Sequence, residues 1–312
     1  IIPAPQIYDH MNKILLIDIG GTNLRYAYAS EGLKSIENSK KISLDSVENF
    51  ENLIGNLINN SDVKNLVISA AGPKMYGTIA MTNRDISVNE NDLISKFNLN
   101  SCDLLNDWES IGYSLSDIDD KEIKFIKEGK PFNNTTFFIG PGTGLGAAVS
   151  VEGRAVMATE VGNTSGLTQQ LLNNYNISDG SSFTALESVV SGSAISKIFS
   201  IKTGNNISSE EVVKLYRDGD IDAIEVIDGF TKSLAEVISD LALTFISGNG
   251  IYLAGSLMRT ITELMDKDLF IKQFLDNKLP QHRKILELMP IGIINREHAC
   301  LLGNLNYFNS KQ

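Results

Sequence analysis

An acid that ends an apolar run and is followed by paired glycines suits a metal-bound polyphosphate. Residues 14–28 have that form, ILLIDIGGTNLRYAY, with Asp18 ahead of Gly20, Gly21, Thr22 and Asn23. Glycines allow a tight turn whose backbone approaches a ligand closely. An ordinary hairpin explains the glycines but has no need of the acid. A second copy breaks the tie. Residues 137–151 read FFIGPGTGLGAAVSV, with Thr143 between Gly142 and Gly144. Two such hairpins, each opening one half of the chain, point to an internal duplication. One half then grips one end of a nucleotide's phosphate chain and the other half the other end.

Further candidates follow expected strands. Asn106, Asp107 and Trp108 come directly after an apolar run ending at Leu105. In α/β domains ligands lie beyond the carboxyl ends of strands. There Asp107 can accept a proton from a substrate hydroxyl, and Asn106 offers a donor and an acceptor to a polyol. Either residue can instead cap the next helix. Glu160, in TEVGN, and Glu187, in ESVVSG, read equally as solvated surface acids. Met81-Thr82-Asn83 follows a strand-like Thr78-Ile79-Ala80 and means little alone.

Several chemistries are excluded. Gly142, Gly144 and Ala147 fit G-x-G-x-x-A, but the residues that follow are strand-like, so a nicotinamide cofactor is rejected. No G-x-x-x-x-G-K-[ST] loop occurs. The 312 residues carry a net charge of −11, which argues against a nucleic-acid partner. Cys102 and Cys300 form no C-x-x-C pair, so a reducing cytoplasm fits and cysteine-built zinc sites do not. His10, His282 and His298 stand isolated, as surface or capping residues. No apolar run reaches membrane-spanning length. Residues 1–10 precede a natural-looking start at Met11. They lack the form of a secretory signal, read as an expression scar or an upstream extension, and stay outside the fold argument.

The elements that must position these residues alternate. Strands are expected at 14–17, 24–28 and 40–43. A helix at 45–58 opens on an Asp45–Glu48 capping box. A strand at 66–71, a helix at 91–97 and a strand at 102–105 complete the first half. The second half repeats the order, with strands at 137–139, 147–151 and 155–158 and a helical region after them. Its best helix, 224–246, carries Ile227, Phe230, Leu234, Val237, Ile238, Leu241 and Phe245 on one face, and Gly248-Asn249-Gly250 stops it. Strands at 251–254 and 291–294 and a helix at 298–308 finish the chain.

The ordered set Asp-x-Gly-Gly-Thr-Asn, Met-Thr-Asn, Asn-Asp-Trp, Gly-Pro-Gly-Thr-Gly-Leu-Gly, Glu-x-Gly-Asn, Glu-x-x-x-Ser-Gly and Leu-Ala-Gly-Ser resembles the bacterial glucokinase family. These are ATP-dependent hexokinase relatives within the actin-like ATPase superfamily. The resemblance runs from Met11 to about Phe308. It implies an α/β fold of two ribonuclease-H-like domains flanking an interdomain cleft, a small one of 11–110 plus 298–312 and a large one of 111–297. It implies phosphorylation of glucose to glucose 6-phosphate in the cytoplasm, within glycolysis, by a homodimer that uses ATP and Mg²⁺. Asp107 would be the base. Asn83, Asn106, Glu160, Asn163 and Glu187 would bind the sugar. Asp18 would hold the metal through water. Gly20, Gly21, Thr22 and Asn23, with Gly142, Thr143 and Gly144, would cradle the phosphates, and Gly255 would lie against the adenosine. The alternatives are a kinase for another hexose and a catalytically inactive sugar sensor. Two departures stand out: Asn163 replaces the family's usual His, and Ser256 replaces a second glycine after Gly255.

Overall fold

The computed structural model describes residues 12–81, 86–166 and 168–311. Two compact units divide the chain: one built from the chain up to Asp117 and from Glu297 onward, the other from 118–296.

In the first unit, β1 (Lys13–Ile19) and β2 (Asn23–Ser30) form an antiparallel hairpin, which β3 (Glu37–Ser43) extends. After α1 (Phe50–Asn59), β4 (Asn65–Ala70) lies parallel to β1. A small sheet of β5 (Lys74–Met75), β6 (Thr78–Ala80) and β7 (Ser87–Asn89) precedes α2 (Glu90–Phe97). Then β8 (Ser101–Asn106) pairs parallel with β4 and passes without a gap into α3 (Asp107–Ser114). The main sheet runs β3-β2-β1-β4-β8. Its central strands are buried on both faces, which is why β1 and β4 read as unbroken apolar runs.

The second unit begins with β9 (Ile123–Lys127), β10 (Thr135–Pro141), β11 (Leu145–Val151) and β12 (Ala155–Thr159). Helices α4 (Thr168–Leu172), α5 (Gly192–Thr203), α6 (Ser209–Arg217) and α7 (Ile221–Phe245) follow. β13 (Gly250–Leu253), α8 (Ser256–Thr262), α9 (Lys267–Leu275), α10 (Pro280–Leu288) and β14 (Ile291–Ile294) complete it. The sheet order is β12-β11-β10-β13-β14-β9. Its first five strands repeat the path of the first sheet, so the two hairpins do open two copies of one topology. Along α7, Ile227, Phe230, Leu234 and Ile238 are buried in the core. Each contributes about 1.5–3 kcal/mol by leaving water, more than any propensity difference along the helix.

The chain then returns to the first unit as α11 (Ala299–Ser310), which lies against α3. The approach is close. A Cβ at Gly303 would fall 1.7 Å from the Ser110 carbonyl oxygen, so this position must be glycine.

Several expectations need correction. α1 starts five residues later than the Asp45–Glu48 box implied. Leu44–Ser46 form a single 3-10 turn, and the cap is Asn49, whose side chain accepts from the Asn52 N–H. A local side-chain bond at 49 outweighed an equally plausible acid at 45. α7 is ended not by Gly248-Asn249-Gly250 but by Ile246 in the left-handed region, with φ 47°. The strand-like Thr78–Ala80 is β6, but the edge strand β9 and the partners β5 and β7 of β6 were not expected. They are short, and their apolar alternation is too brief to read. Among the described residues no helix is long and apolar enough to cross a membrane.

Candidate functional site

In the first unit, Asp18 and Asn106 both stand near the carboxyl ends of parallel strands, on either side of β4. Antiparallel pairing sets Asp18 opposite Arg25 on one face. Arg25 Nη1 donates to Asp18 Oδ2 at 3.0 Å, and Ser69 Oγ to Asp18 Oδ1 at 3.3 Å. Asp18 is only 5% exposed. That burial pushes its carboxyl above the usual carboxylate range, while Arg25 first, then Cys300 and Ser69, pull it back. Asn106 takes the capping role the sequence allowed. Its Oδ1 accepts from the Trp108 N–H at 2.8 Å and the Glu109 N–H at 3.4 Å, capping α3, and the Glu109 carboxylate returns the bond to the Asn106 N–H. Its Nδ2 donates to the Gly72 carbonyl at 3.0 Å, which leaves one amide hydrogen without a partner among the described residues. Asp107 opens α3, with Oδ1 accepting from the Trp108 N–H at 3.0 Å. Asn83 lies outside the described residues, as does Thr82.

In the second unit, the turn of Gly142, Thr143 and Gly144 closes the β10–β11 hairpin. Helix α5 buttresses it: the Gly192 N–H donates to the Gly142 carbonyl at 2.7 Å, and Ser193 Oγ to the Thr143 carbonyl at 2.7 Å. Glu187 is bound to this hairpin, its Oε2 accepting from the Leu145 N–H at 3.2 Å. Glu160 and Asn163 flank a 3-10 turn after β12, and Asn163 Nδ2 donates to Glu160 Oε2 at 3.1 Å. The Leu186 N–H donates to the Thr164 carbonyl at 2.8 Å, so this loop and the Glu187 loop are joined. Gly255 is the N-cap of α8 at φ 107°, a backbone only glycine tolerates, and a Cβ there would meet the Pro141 carbonyl at 4.0 Å. Asp18, Gly20 to Asn23, Asn106 and Asp107 thus gather in one unit, and Gly142 to Gly144, Glu160, Asn163, Glu187 and Gly255 in the other.

The glycines divide into two kinds. A Cβ at Gly144 would come 2.4 Å from Glu187 Oε2, and one at Gly162 would come 2.2 Å from the Leu145 carbonyl oxygen, so packing requires those two. A Cβ at Gly21 or Gly142 would meet nothing within 4 Å, and neither has a positive φ. Packing and backbone conformation leave them unexplained. An unobstructed face of backbone is what a phosphate group needs.

The fold family implies a divalent metal, and Asp18 can be tested against it. Each of its carboxylate oxygens has a protein partner and keeps lone-pair capacity. No cluster of three or more His, Cys, Asp or Glu among the described residues could hold a metal unaided. The donor set therefore fits an ion held mainly by phosphate oxygens and water, with Asp18 as the protein's anchor.

Sequence reasoning missed Arg25, Ser69, Cys300 and Asn304. Counting outward from the glycine turn would have found Arg25 opposite Asp18. Nothing local marks the other three. Cys300 is half-buried, and its thiol donates to the Asp107 carbonyl oxygen at 3.8 Å. Burial, then the charges of Asp18 and Asp107, raise its thiol well above the usual range.

Known proteins share this arrangement at several levels. A "Glucokinase-like protein" of Xylella fastidiosa is 24% identical over 337 residues, covering 100% of this chain and 99% of its own. A glucokinase from an Antarctic psychrotroph superposes with a TM-score of 0.78 at 23% identity, covering 95% of this chain and 98% of its own. The glucokinase of Balamuthia mandrillaris, solved in complex with glucose, gives 0.78 at 17% identity, over 97% and 95%. The two-sheet fold is therefore that of these enzymes. The family model described as Glucokinase matches residues 15–311, and on that match this chain belongs to the glucokinase family.

Proposed function

We propose that this protein transfers the γ-phosphoryl group of ATP to the 6-hydroxyl of glucose. One observation carries the reading: the Asn304 side chain reaches both Ser69, which bonds the Asp18 carboxylate, and Ser110 in the first turn of the helix that Asp107 opens. A carboxylate suited to anchoring a metal–phosphate and a carboxylate suited to taking a proton are therefore tied to one side chain of the same unit. Family membership and the glucose held by the Balamuthia relative support the same sugar.

In this reading Asp107 accepts the 6-hydroxyl proton as that oxygen attacks the γ-phosphorus. The bond from phosphorus to the β-phosphate bridging oxygen breaks, and ADP leaves with the electron pair. Asn106, Glu160, Asn163 and Glu187 orient the sugar hydroxyls. The glycine turns at Gly20 to Asn23 and Gly142 to Gly144 hold the phosphates, and Gly255 borders the adenosine. Mg²⁺, anchored at Asp18, supplies charge neutralisation on the phosphates. Phosphoryl transfer depends mostly on such positioning and neutralisation.

Coupled ADP release across glucose, mannose and fructose tests the reading. Asp107→Asn should retain sugar binding and lose about 10²-fold or more in kcat. A wild-type protein that releases no ADP with any hexose would falsify it. A second reading, a kinase for another hexose, is favoured by one observation. Asn163 spends its amide on Glu160, so the carboxylate is held by an uncharged partner shorter than the family's imidazole. The same panel decides between the two by which sugar has the lowest KM.

A further inference from the structure

Two polar side chains on α11, Cys300 and Asn304, lie one turn apart on one face. Asn304 is fully buried. Its Nδ2 donates to the Ile17 carbonyl at 2.9 Å and to Ser69 Oγ at 3.2 Å. Ser110 Oγ shares its one proton between Asn304 Oδ1 at 2.7 Å and the Cys300 carbonyl at 2.6 Å. The Cys300 thiol donates to the Asp107 carbonyl oxygen at 3.8 Å.

Every one of these contacts ends on Asp18, on Asp107 or next to one of them. Ile17 precedes Asp18. Ser69 touches Asp18 Oδ1. Ser110 belongs to the first turn of the helix that Asp107 opens. In the sheet, β4 separates β1 from β8, so no ladder bond joins the two acids directly. The rest of this helix face is apolar, with Leu301 and Leu305 in the core. A buried amide and a half-buried thiol among such neighbours carry a desolvation cost that aliphatic side chains would avoid.

We infer that Cys300 and Asn304 are positioning residues, which fix Asp107 relative to Asp18 and so hold the proton acceptor in line with the phosphate-binding turn. This rests on the kinase reading above. The last helix, remote in sequence from both acids, is then part of the catalytic geometry as well as of the core.

Cys300→Ala, Cys300→Ser and Asn304→Ala test it. The readouts are kcat, KM for sugar and for ATP, melting temperature, and the emission of Trp108, the chain's one tryptophan and the neighbour of Asp107. Cys300→Ala should lower kcat about fivefold, the size of one hydrogen bond between neutral groups, with both KM values within about twofold. Cys300→Ser should recover most of that, since a hydroxyl also donates. Asn304→Ala should lower kcat at least as much, and both alanine variants should shift the Trp108 emission. Alanine variants with wild-type kcat overturn the inference. So does a lowered melting temperature with kcat per folded molecule unchanged, the mark of a purely structural role. Should Asn304→Ala fail to fold, the Cys300 pair decides. A wild-type protein that phosphorylates no hexose defeats the kinase reading alone; the emission then decides, and unshifted Trp108 in both alanine variants overturns the positioning role.

Discussion

The two glycine hairpins share strand order but are secured by different means. The first, at Gly20 to Asn23, is anchored by charge: buried Asp18 on one strand meets Arg25 on the other. The second, at Gly142 to Gly144, has no acid on its strands. It is held by the start of α5, through Gly192 and Ser193, and by Glu187 from a separate loop. The difference shows how a duplicated scaffold specialises. Both copies keep an open glycine, and only one carries a carboxylate suited to a metal. The other borrows its carboxylate from a loop, leaving that acid to serve another ligand.

The largest break in this comparison is at the anchors. Arg25→Met should strand the Asp18 carboxylate in the core. Removing one partner of a fully buried pair costs about 3–5 kcal/mol. Arg25 keeps 35% of its side chain exposed, so screening reduces the loss to about 2 kcal/mol. Ser193→Ala removes one hydroxyl bond from an exposed position and should cost about 0.5–1 kcal/mol. Urea titration of the two variants checks the order, and equal losses would mean that charge is not what secures the first turn.

The open glycines sharpen the comparison functionally. Gly21→Ala and Gly142→Ala meet no neighbour, so melting temperatures should hold or rise slightly as the unfolded chain loses freedom. KM for ATP should rise about tenfold or more in both, because the methyl occupies the space proposed for phosphate. An unchanged KM at either position would remove that turn from the cradle. Among the carboxylates proposed for the sugar, Glu187 is fixed by the hairpin's own backbone, whereas Glu160 leans on Asn163. Asn163→Ala should therefore raise sugar KM about fivefold, one hydrogen bond's worth, with kcat unchanged. A fall in kcat instead would show that Asn163 acts in the transition state.

What the sequence disclosed was whatever is local. Residues 14–28 contain two strands, their turn and an acid, all within one hairpin's reach, so pattern alone reveals them. Asp107 was visible because a strand end precedes it. The start of α1 was misread because Asp45 and Asn49 offer competing caps, and the side-chain bond at Asn49 is the one formed. The reason for Gly144 was hidden, since Glu187, which crowds it, lies far along the chain. Cys300 and Asn304 were hidden more deeply. They act through tertiary contacts, and within α11 they read only as two small polar residues between leucines.

The smallest effect separates the units by pH, through one motif used twice. α3 and α6 both open on a capping box, Asn106 with Glu109 and Ser208 with Glu211. Glu109 is largely buried, and burial raises its carboxyl above the usual value despite the Asn106 N–H bond and Lys74. Glu211 is exposed, and its bonds from Ser208 lower it. The signs are opposite. A raised acid favours the fold while protonated, so Glu109's contribution is present below the ordinary glutamate value and is lost as pH climbs through its folded one. A lowered acid contributes above the ordinary value and loses that contribution as pH falls through its folded one. Glu109→Gln should gain on wild type in melting temperature as pH rises from about 4 to 7, while Glu211→Gln should fall behind over the same window. Gln can still accept each capping bond, so only the charge differs. Parallel curves for the two variants would show that burial does not distinguish the two caps.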